Sequence, residues 1–456
     1  MKDGSHAGRW VQGAGPDVAP TGFGERRSAR TPAQTSERGG VNPKRADALK
    51  EYGITAGTLG STAGQTVMVA VLPVLLAQYA RSAVWIGFAV GGEGVFALLV
   101  PYWIGYLSDH LHPRLVRRFG RRTFFLLVTA PLMAAAMAVA PFLHGYWLIA
   151  GAALVFFAAL HGYLTPLWAL LVDAVPNERR GRVQGVRGVL HSAGIGYGLV
   201  AAGLLYGIWH PLPFLLGAAL ILGMTWITVR ATPKEDGVAA SHAEAPGFGV
   251  LWRDLRGRPA VPWFLFSNAL WTGAVDGIRP YFVLFGVVVL GITVAEASLV
   301  LILLVVGLAV GSYVVGHLGD RYDRRRLLQW GAGLTGVAMI LGVFAHNLPT
   351  TVVLMLLAGA GAAALIALPY PLFTSLIGET AVGRYTGLYV VSISLGRIVA
   401  PMAVGAAIDF GARVYPYYRG YPFMWPMAGL LTVAGALALS LATRYQRRED
   451  AARARS

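Results

Sequence analysis

Gly105-Tyr106-Leu107-Ser108-Asp109, followed closely by Phe119-Gly120-Arg121-Arg122, sits between two long apolar segments. A relative of it, Gly316-His317-Leu318-Gly319-Asp320-Arg321 with Arg324-Arg325-Arg326, recurs 211 residues later between another such pair. A carboxylate and an arginine cluster on a short hairpin, met at the same place in two halves, points to a duplicated unit. A second echo supports the duplication. Asp173 to Arg182 runs into Gly185, and Glu379 to Arg384 runs into Gly387 about 202 residues later, with Gly-Arg opening an apolar segment each time.

Working outward, 55% of the 456 residues are hydrophobic and only 13% are charged. A soluble domain carries about a quarter charged residues, so this chain lacks the polar surface it would need in water. Its net charge of +16 could signal nucleic acid or an anionic membrane face. The arginines fall in clusters between apolar runs long enough to span a bilayer, which sets nucleic acid aside. The chain has no cysteine, which excludes disulfides, thiolate chemistry and cysteine-bound metal.

Residues 1–50 read as a disordered, solvated tail without the apolar core of a signal peptide. Twelve apolar segments follow, at about 54–80, 84–106, 122–143, 146–173, 183–208, 211–230, 261–290, 294–318, 326–346, 350–378, 384–410 and 422–444. Each can cross about 30 Å of hydrocarbon as a helix, the form that satisfies its own backbone there. The expected fold is an all-α polytopic membrane protein: twelve transmembrane helices in two pseudo-symmetric six-helix bundles, 51–230 and 261–444. A linker at 231–260 ends in Phe248, Leu251, Trp252 and Leu255 at helical spacing, an amphipathic helix on the membrane face. Residues 445–456 form a short tail. Arginines crowd the links after even-numbered segments, whereas the opposite links hold only Arg81, Arg413 and Arg419. This bias places both termini in the cytoplasm, as an even number of crossings requires.

The hairpins and the twelve spans resemble the Major Facilitator Superfamily over essentially the whole chain after residue 50. Its mark is a Gly-x-Leu-x-Asp-Arg…Arg-Arg hairpin between the second and third helices, with a weaker copy between the eighth and ninth. In the first copy His110 stands where the family has arginine, and the loop is stretched before Arg121 and Arg122; the copy at Gly316, Asp320, Arg321, Arg324 and Arg325 is closer. The chain is also similar to sugar carriers of the glycoside–pentoside–hexuronide type. Their cation-coupling acids would fall at Phe96 and Val100, so that site does not carry over. The glycine-proline pattern of drug antiporters is missing from the fifth span, which offers Gly194 to Gly198 instead.

The resemblance implies a secondary transporter that is not an enzyme and works as a monomer in a cell membrane. It would take a small organic solute, a proton or other cation and membrane lipid as partners, with no cofactor. In that fold helices 1, 4, 7 and 10 line the central cavity, and helices 2 and 11 face each other across the two halves.

Ionisable residues at membrane depth cost about 2.5–3.5 kcal/mol even on a lenient scale. Glu93, in the second span, and Arg397, in the eleventh, fall at matching depths of roughly 14 and 12 Å from one side. They are expected to form an ion pair between the halves and act as an outer gate, unless each finds a partner in its own half. Glu93 would then double as a proton site. In the seventh span Asn268, Thr272, Asp276 and Arg279 follow at steps of four, four and three on one helical face. Asp276 and Arg279 either neutralise each other or leave Arg279 to a substrate carboxylate or hydroxyl. His161, Thr165 and Trp168 share a face of the fourth span, and His161 is either a packing residue or a proton relay. Gln65 and Thr58, Trp271, Tyr370 and Thr374 complete the expected lining. At the hairpins Asp109 and Asp320 would meet the starts of helices 11 and 5, near Arg384 and Arg182, holding the inner side closed. No phosphate loop, metal-ligand cluster or nucleophile triad is recognisable, so no nucleotide drives the process. The expected function is proton-coupled uptake of a sugar or other polar metabolite, favoured by the polar stripe and the missing antiporter pattern; multidrug efflux and a non-transporting assembly factor or enzyme are the alternatives.

Overall fold

The computed structural model describes residues 52–175, 177–233, 258–319, 321–377 and 382–453. Its long helices are α1 (Gly57–Ala77), α2 (Ala83–Asp109), α3 (Arg121–Val139), α4 (Tyr146–Ala174), α5 (Asn177–Val200) and α6 (Leu212–Ala231) in the first half. The second half holds α7 (Ala260–Val288), α8 (Val294–Gly319), α9 (Arg324–Leu341), α10 (Leu348–Ala367, resuming at Pro369–Ile377), α11 (Val382–Val414) and α12 (Met424–Arg453). Eleven of these, counted among the described residues, are long and apolar enough to cross a membrane. The remaining one, α7, is 29 residues long and carries the polar stripe, which lowers its hydropathy. The amphipathic helix expected near 248–255 lies outside the described residues, as do the N-terminal tail and Asp320.

Local chemistry explains the interruptions. Pro369 has no N–H to continue the ladder, and α10 breaks just before it. A π-helical turn at Ala201–Leu205 extends α5 towards Ile208. The stretched loop of the first hairpin forms a short helix, Pro113–Phe119, opened by His112 and closed at Gly120, whose φ of 80° suits glycine.

The two halves repeat one packing scheme. In the first, α1 packs on α5 and α6, α4 on α2 and α3, and α3 on α6. In the second, α7 packs on α11 and α12, α10 on α8 and α9, and α9 on α12. Shifting every helix by six maps one scheme onto the other, as duplication requires. Large apolar side chains such as Tyr102, Val310 and Leu437 are exposed on the outside of the bundles, the reverse of a soluble surface and what lipid would cover.

The halves meet through α2 on α11, α5 on α8, and α1 on α7. The contact is uneven along the axis. At the end away from the arginine clusters, a Cβ on Gly87 would run into the Pro401 carbonyl oxygen, one on Gly91 would lie 2.9 Å from that of Ile398, and one on Gly203 2.8 Å from that of Ala295. Absent side chains here let backbones of opposite halves touch. At the Arg-rich end Gly105, Gly188, Gly316 and Gly387 have nothing within 4 Å of that position. The halves are thus in backbone contact at one end, the closed end, and the glycines described at the other are open.

Candidate functional site

Halfway along the interface, charge concentrates. The Asp276 carboxylate on α7 accepts from Arg397 Nε of α11 at 2.8 Å through Oδ2 and from Arg279 Nη1 at 3.1 Å through Oδ1. Across the interface, Glu93 Oε1 on α2 accepts from Gln65 Nε2 of α1 at 2.6 Å. Glu93, Val90, Asp276, Arg279, Arg397 and Pro401 line one small cavity between the halves. His161 on α4 lies within electrostatic reach of Glu93 and Arg397, is 91% buried (9% exposed), and its Nε2 has no hydrogen-bond partner.

This corrects the expected outer gate. Glu93 and Arg397 face the same cavity at the matching depth, but Arg397 bonds Asp276 and Glu93 bonds Gln65, so each is satisfied inside its own half. The contact that does join the halves is nearer the closed end. Ser82, the residue before α2, is extended and makes no side-chain cap. Asp409 of α11 takes that role instead: its Oδ1 accepts from Ala83 N at 2.8 Å and its Oδ2 from Val84 N at 3.2 Å. A carboxylate on the first N–H groups of a helix is favoured by both hydrogen bonding and the helix dipole. Beside it, the Tyr281 hydroxyl of α7 shares its one proton between Ala83 O at 2.9 Å and Pro401 O at 2.7 Å.

The α7 stripe divides. Asp276 and Arg279 reach the interface, and Thr272 is partly exposed. Asn268 does not line the cavity: it is 1% exposed and donates to Ser392 Oγ of α11 at 2.9 Å, while Trp271 Nε1 donates to Asn268 Oδ1 at 3.1 Å. Trp271, one position off the stripe, is wholly buried in the core of the second half with Phe264. Of the remaining lining residues, Thr165 Oγ1 donates to the backbone carbonyl of His161 at 2.8 Å and Thr374 Oγ1 to that of Pro371 at 2.9 Å. Thr58 is buried with its hydroxyl unpartnered. Trp168 and Tyr370 are exposed towards the Arg-rich end, the latter edge-on to Tyr389.

At the first hairpin Arg122 turns inward within its own half. Its Nε donates to Asp173 Oδ2 of α4 at 3.2 Å and its Nη1 to Ser108 Oγ of α2 at 3.3 Å. It braces α2, α3 and α4 and does not reach the second half. Gly105 and Gly316 are open on that end, Arg182, Arg321 and Arg324 are exposed, and Arg325 and Arg121 are half-buried. The side chains of Asp109 and Arg384 lie outside the described set, so the expected contacts across the inner side fall there too.

Two residues of α5 were missed by sequence reasoning. His191 Nδ1 is 3.0 Å from Thr62 Oγ1 of α1, and it lies within electrostatic reach of both Arg187 and Arg279. Arg187 sits over the ring of Trp168, 5.6 Å from its centre. Its signal was an arginine inside the apolar stretch of the fifth span, hidden because it continues the run from Arg179.

Comparison with known proteins agrees with this architecture. The Major Facilitator Superfamily profile matches residues 54–293 and 281–456, and the chain belongs to that superfamily of membrane transporters. A gentisate transporter of Corynebacterium glutamicum is 24% identical over 377 residues, covering 78% of this chain and 79% of that protein. A probable glucose transporter of Neurospora crassa, rco-3, is 31% identical over 178 residues, covering 39% of this chain and only 27% of the relative's length. Among solved structures, a bacterial homologue of the human lysosomal transporter Spinster, in an inward-facing and unoccupied conformation, superposes with a TM-score of 0.72. It shares 15% identity and covers 90% of this chain and 99% of its own. The nucleoside transporter NupG gives 0.69 at 15% identity, covering 88% and 99%. These two establish the shared fold.

Proposed function

We propose that the protein carries a small polar metabolite, a sugar or other polar solute, across a cell membrane by rocking its halves about the midplane cluster. A proton gradient drives the cycle. The observation that carries this reading is the polar cavity shared by Glu93 of one half and Asp276, Arg279 and Arg397 of the other. Ionisable groups at that depth are costly even when paired, and they mark solute and proton pathways. By the positive-inside bias the Arg-rich end, with its open glycines, is cytoplasmic, both termini lie on that side, and the structure is inward-facing. The gentisate and glucose transporters among the relatives support an organic solute as cargo.

Glu93 is the proton site in this reading, and the unpartnered His161 imidazole is its relay. The alternative, efflux of drug-like compounds, draws on an apolar cavity beside Arg279 in the second half. That cavity holds about 90 Å³ and is apolar apart from Arg279 and Trp425.

Flux into proteoliposomes tests the proposal. An imposed proton gradient is expected to drive accumulation of a polar solute, and Glu93→Gln is expected to abolish accumulation while sparing solute exchange. Accumulation that survives collapse of the gradient, or that Glu93→Gln leaves intact, would refute the coupling.

A further inference from the structure

Arg279 lines two cavities at once. One is the polar cavity between the halves, with Glu93, Asp276 and Arg397. The other is the apolar cavity inside the second half, walled by Ile278 and Phe282 of α7, Leu304 of α8, Met355 of α10 and Trp425 of α12. The space exists because α10 brings only the short side chains of Ala358 and Ala362, and none at Gly359, to that stretch of its wall. Arg279 uses Nη1 on Asp276 and its side chain is 39% exposed, so the rest of the guanidinium can serve another acceptor. Trp425 packs edge-on against Phe282 and Phe285, about one and two turns of α7 beyond Arg279. It is 3% exposed, and its Nε1 has no partner. A buried donor left unpaired costs free energy that a ligand oxygen can recover. A guanidinium shared with the midplane, apolar walls and an unmet donor farther in fit an amphiphile.

The charges of the polar cavity decide what the head of that amphiphile carries. Glu93 and Asp276 bring two negative charges and Arg279 and Arg397 two positive ones, so its lining is balanced while Glu93 is ionised. Around Glu93 stand Gln65 of α1, His161 of α4, Asp276 and Arg279 of α7, and Arg397 of α11. A proton on Glu93 leaves one positive charge over, which is costly at this depth. An anionic head on Arg279 cancels it, and a guanidinium fork matches a carboxylate in shape as well as charge. An uncharged head leaves the surplus in place. The same anion arriving while Glu93 is ionised adds a surplus negative charge instead. Proton and anion are each other's condition.

Building on the carrier and proton-coupling reading, we propose that the solute is an organic monoanion carried with one proton. Its carboxylate sits on Arg279, its compact apolar body fills the cavity of the second half with an oxygen acceptor at Trp425 Nε1, and Glu93 takes the proton. The loaded site stays neutral, so uptake follows the pH gradient and ignores the membrane potential.

Full-length protein in proteoliposomes is assayed with 4-hydroxybenzoate, its uncharged analogue 4-hydroxybenzamide, benzoate and glucose, each above the uptake of protein-free vesicles. With the pH gradient fixed, 4-hydroxybenzoate uptake is expected to be the same whether potassium and valinomycin hold the potential at zero or inside-negative. The benzamide and glucose are expected to compete at least tenfold less well. Ala362→Leu, which fills the cavity, is expected to raise the half-saturating concentration of 4-hydroxybenzoate at least tenfold, with thermal unfolding showing that the fold is kept. Trp425→Phe is expected to weaken 4-hydroxybenzoate and to spare benzoate, which lacks the far oxygen. Binding, followed by thermal stabilisation, is expected to weaken as pH rises in the wild type and to stay constant in Glu93→Gln, whose side chain is always neutral. Uptake quickened by a negative interior, 4-hydroxybenzamide equal to 4-hydroxybenzoate, or an unchanged Ala362→Leu variant would overturn the monoanion assignment and leave the carrier reading standing. Absence of flux for every solute, glucose included, would overturn the carrier reading as well.

Discussion

The two ends of the interface are built differently. At the closed end, atoms of one half complete the backbone of the other: Asp409 caps α2, Tyr281 reaches Ala83 O, and Gly87 and Gly91 seat against α11. At the Arg-rich end Arg122, Asp173 and Ser108 are tied together inside the first bundle, and Gly105 and Gly387 are open. Bonds that satisfy a partner's helix terminus are available only while the halves touch, so they can be exchanged as a set. Bonds within a half persist through the cycle. The closed end is therefore the switchable one in this state, and the Arg122 brace at the other end holds the first bundle together while it moves.

Substitutions can break that contrast, starting with the largest expected effect. Asp276→Asn leaves two arginines without their shared carboxylate. Breaking a buried pair by removing one partner costs about 3 kcal/mol or more, so thermal stability and flux are expected to fall together. Gly87→Leu puts a side chain against the Pro401 carbonyl and is expected to cut flux more than tenfold with little loss of fold, since each bundle can still form. Transport assays beside unfolding curves separate these two cases.

Asp409→Asn keeps one acceptor oxygen but loses the other and the charge at the helix terminus, which weakens the hold on α2 by about 1–2 kcal/mol, a factor of roughly 5–30 in the balance between states. Because the chain has no native cysteine, Val90→Cys in the interface cavity can report this: maleimide labelling from the closed end is expected to quicken by that factor. Tyr281→Phe removes one shared proton and is worth about 1 kcal/mol, giving a smaller increase in the same assay. Gly105→Ala meets nothing within 4 Å and is expected to change neither flux nor labelling. A strong effect there would show that the Arg-rich end is closed in the working protein.

Much of the fold was legible because membrane spans are written in length and composition, and the duplication in two hairpins. Depth was legible too, which is why Glu93 and Arg397 reach the same cavity. Rotation about the helix axis was not. The step of three and four that groups Asn268 with Asp276 does not reveal that the face curves from the interface into the bundle, where Ser392 waits for Asn268. Nor could spacing show that Asp276 would take Arg397 before Glu93 did. Asp409 was hidden by position: an acid near the end of a span reads as an interfacial residue, and its partners are backbone N–H groups that carry no sequence signal.

Distances between spin labels test the central claim directly. One pair, Ser82→Cys with Arg413→Cys, spans the closed end, and a second, Gly105→Cys with Gly387→Cys, spans the Arg-rich end, both in a chain without native cysteine. Adding Asp409→Asn is expected to lengthen the first distance and shorten the second within one population of molecules. Distances that stay fixed, or that lengthen together, would contradict a carrier whose halves rock about the charged midplane.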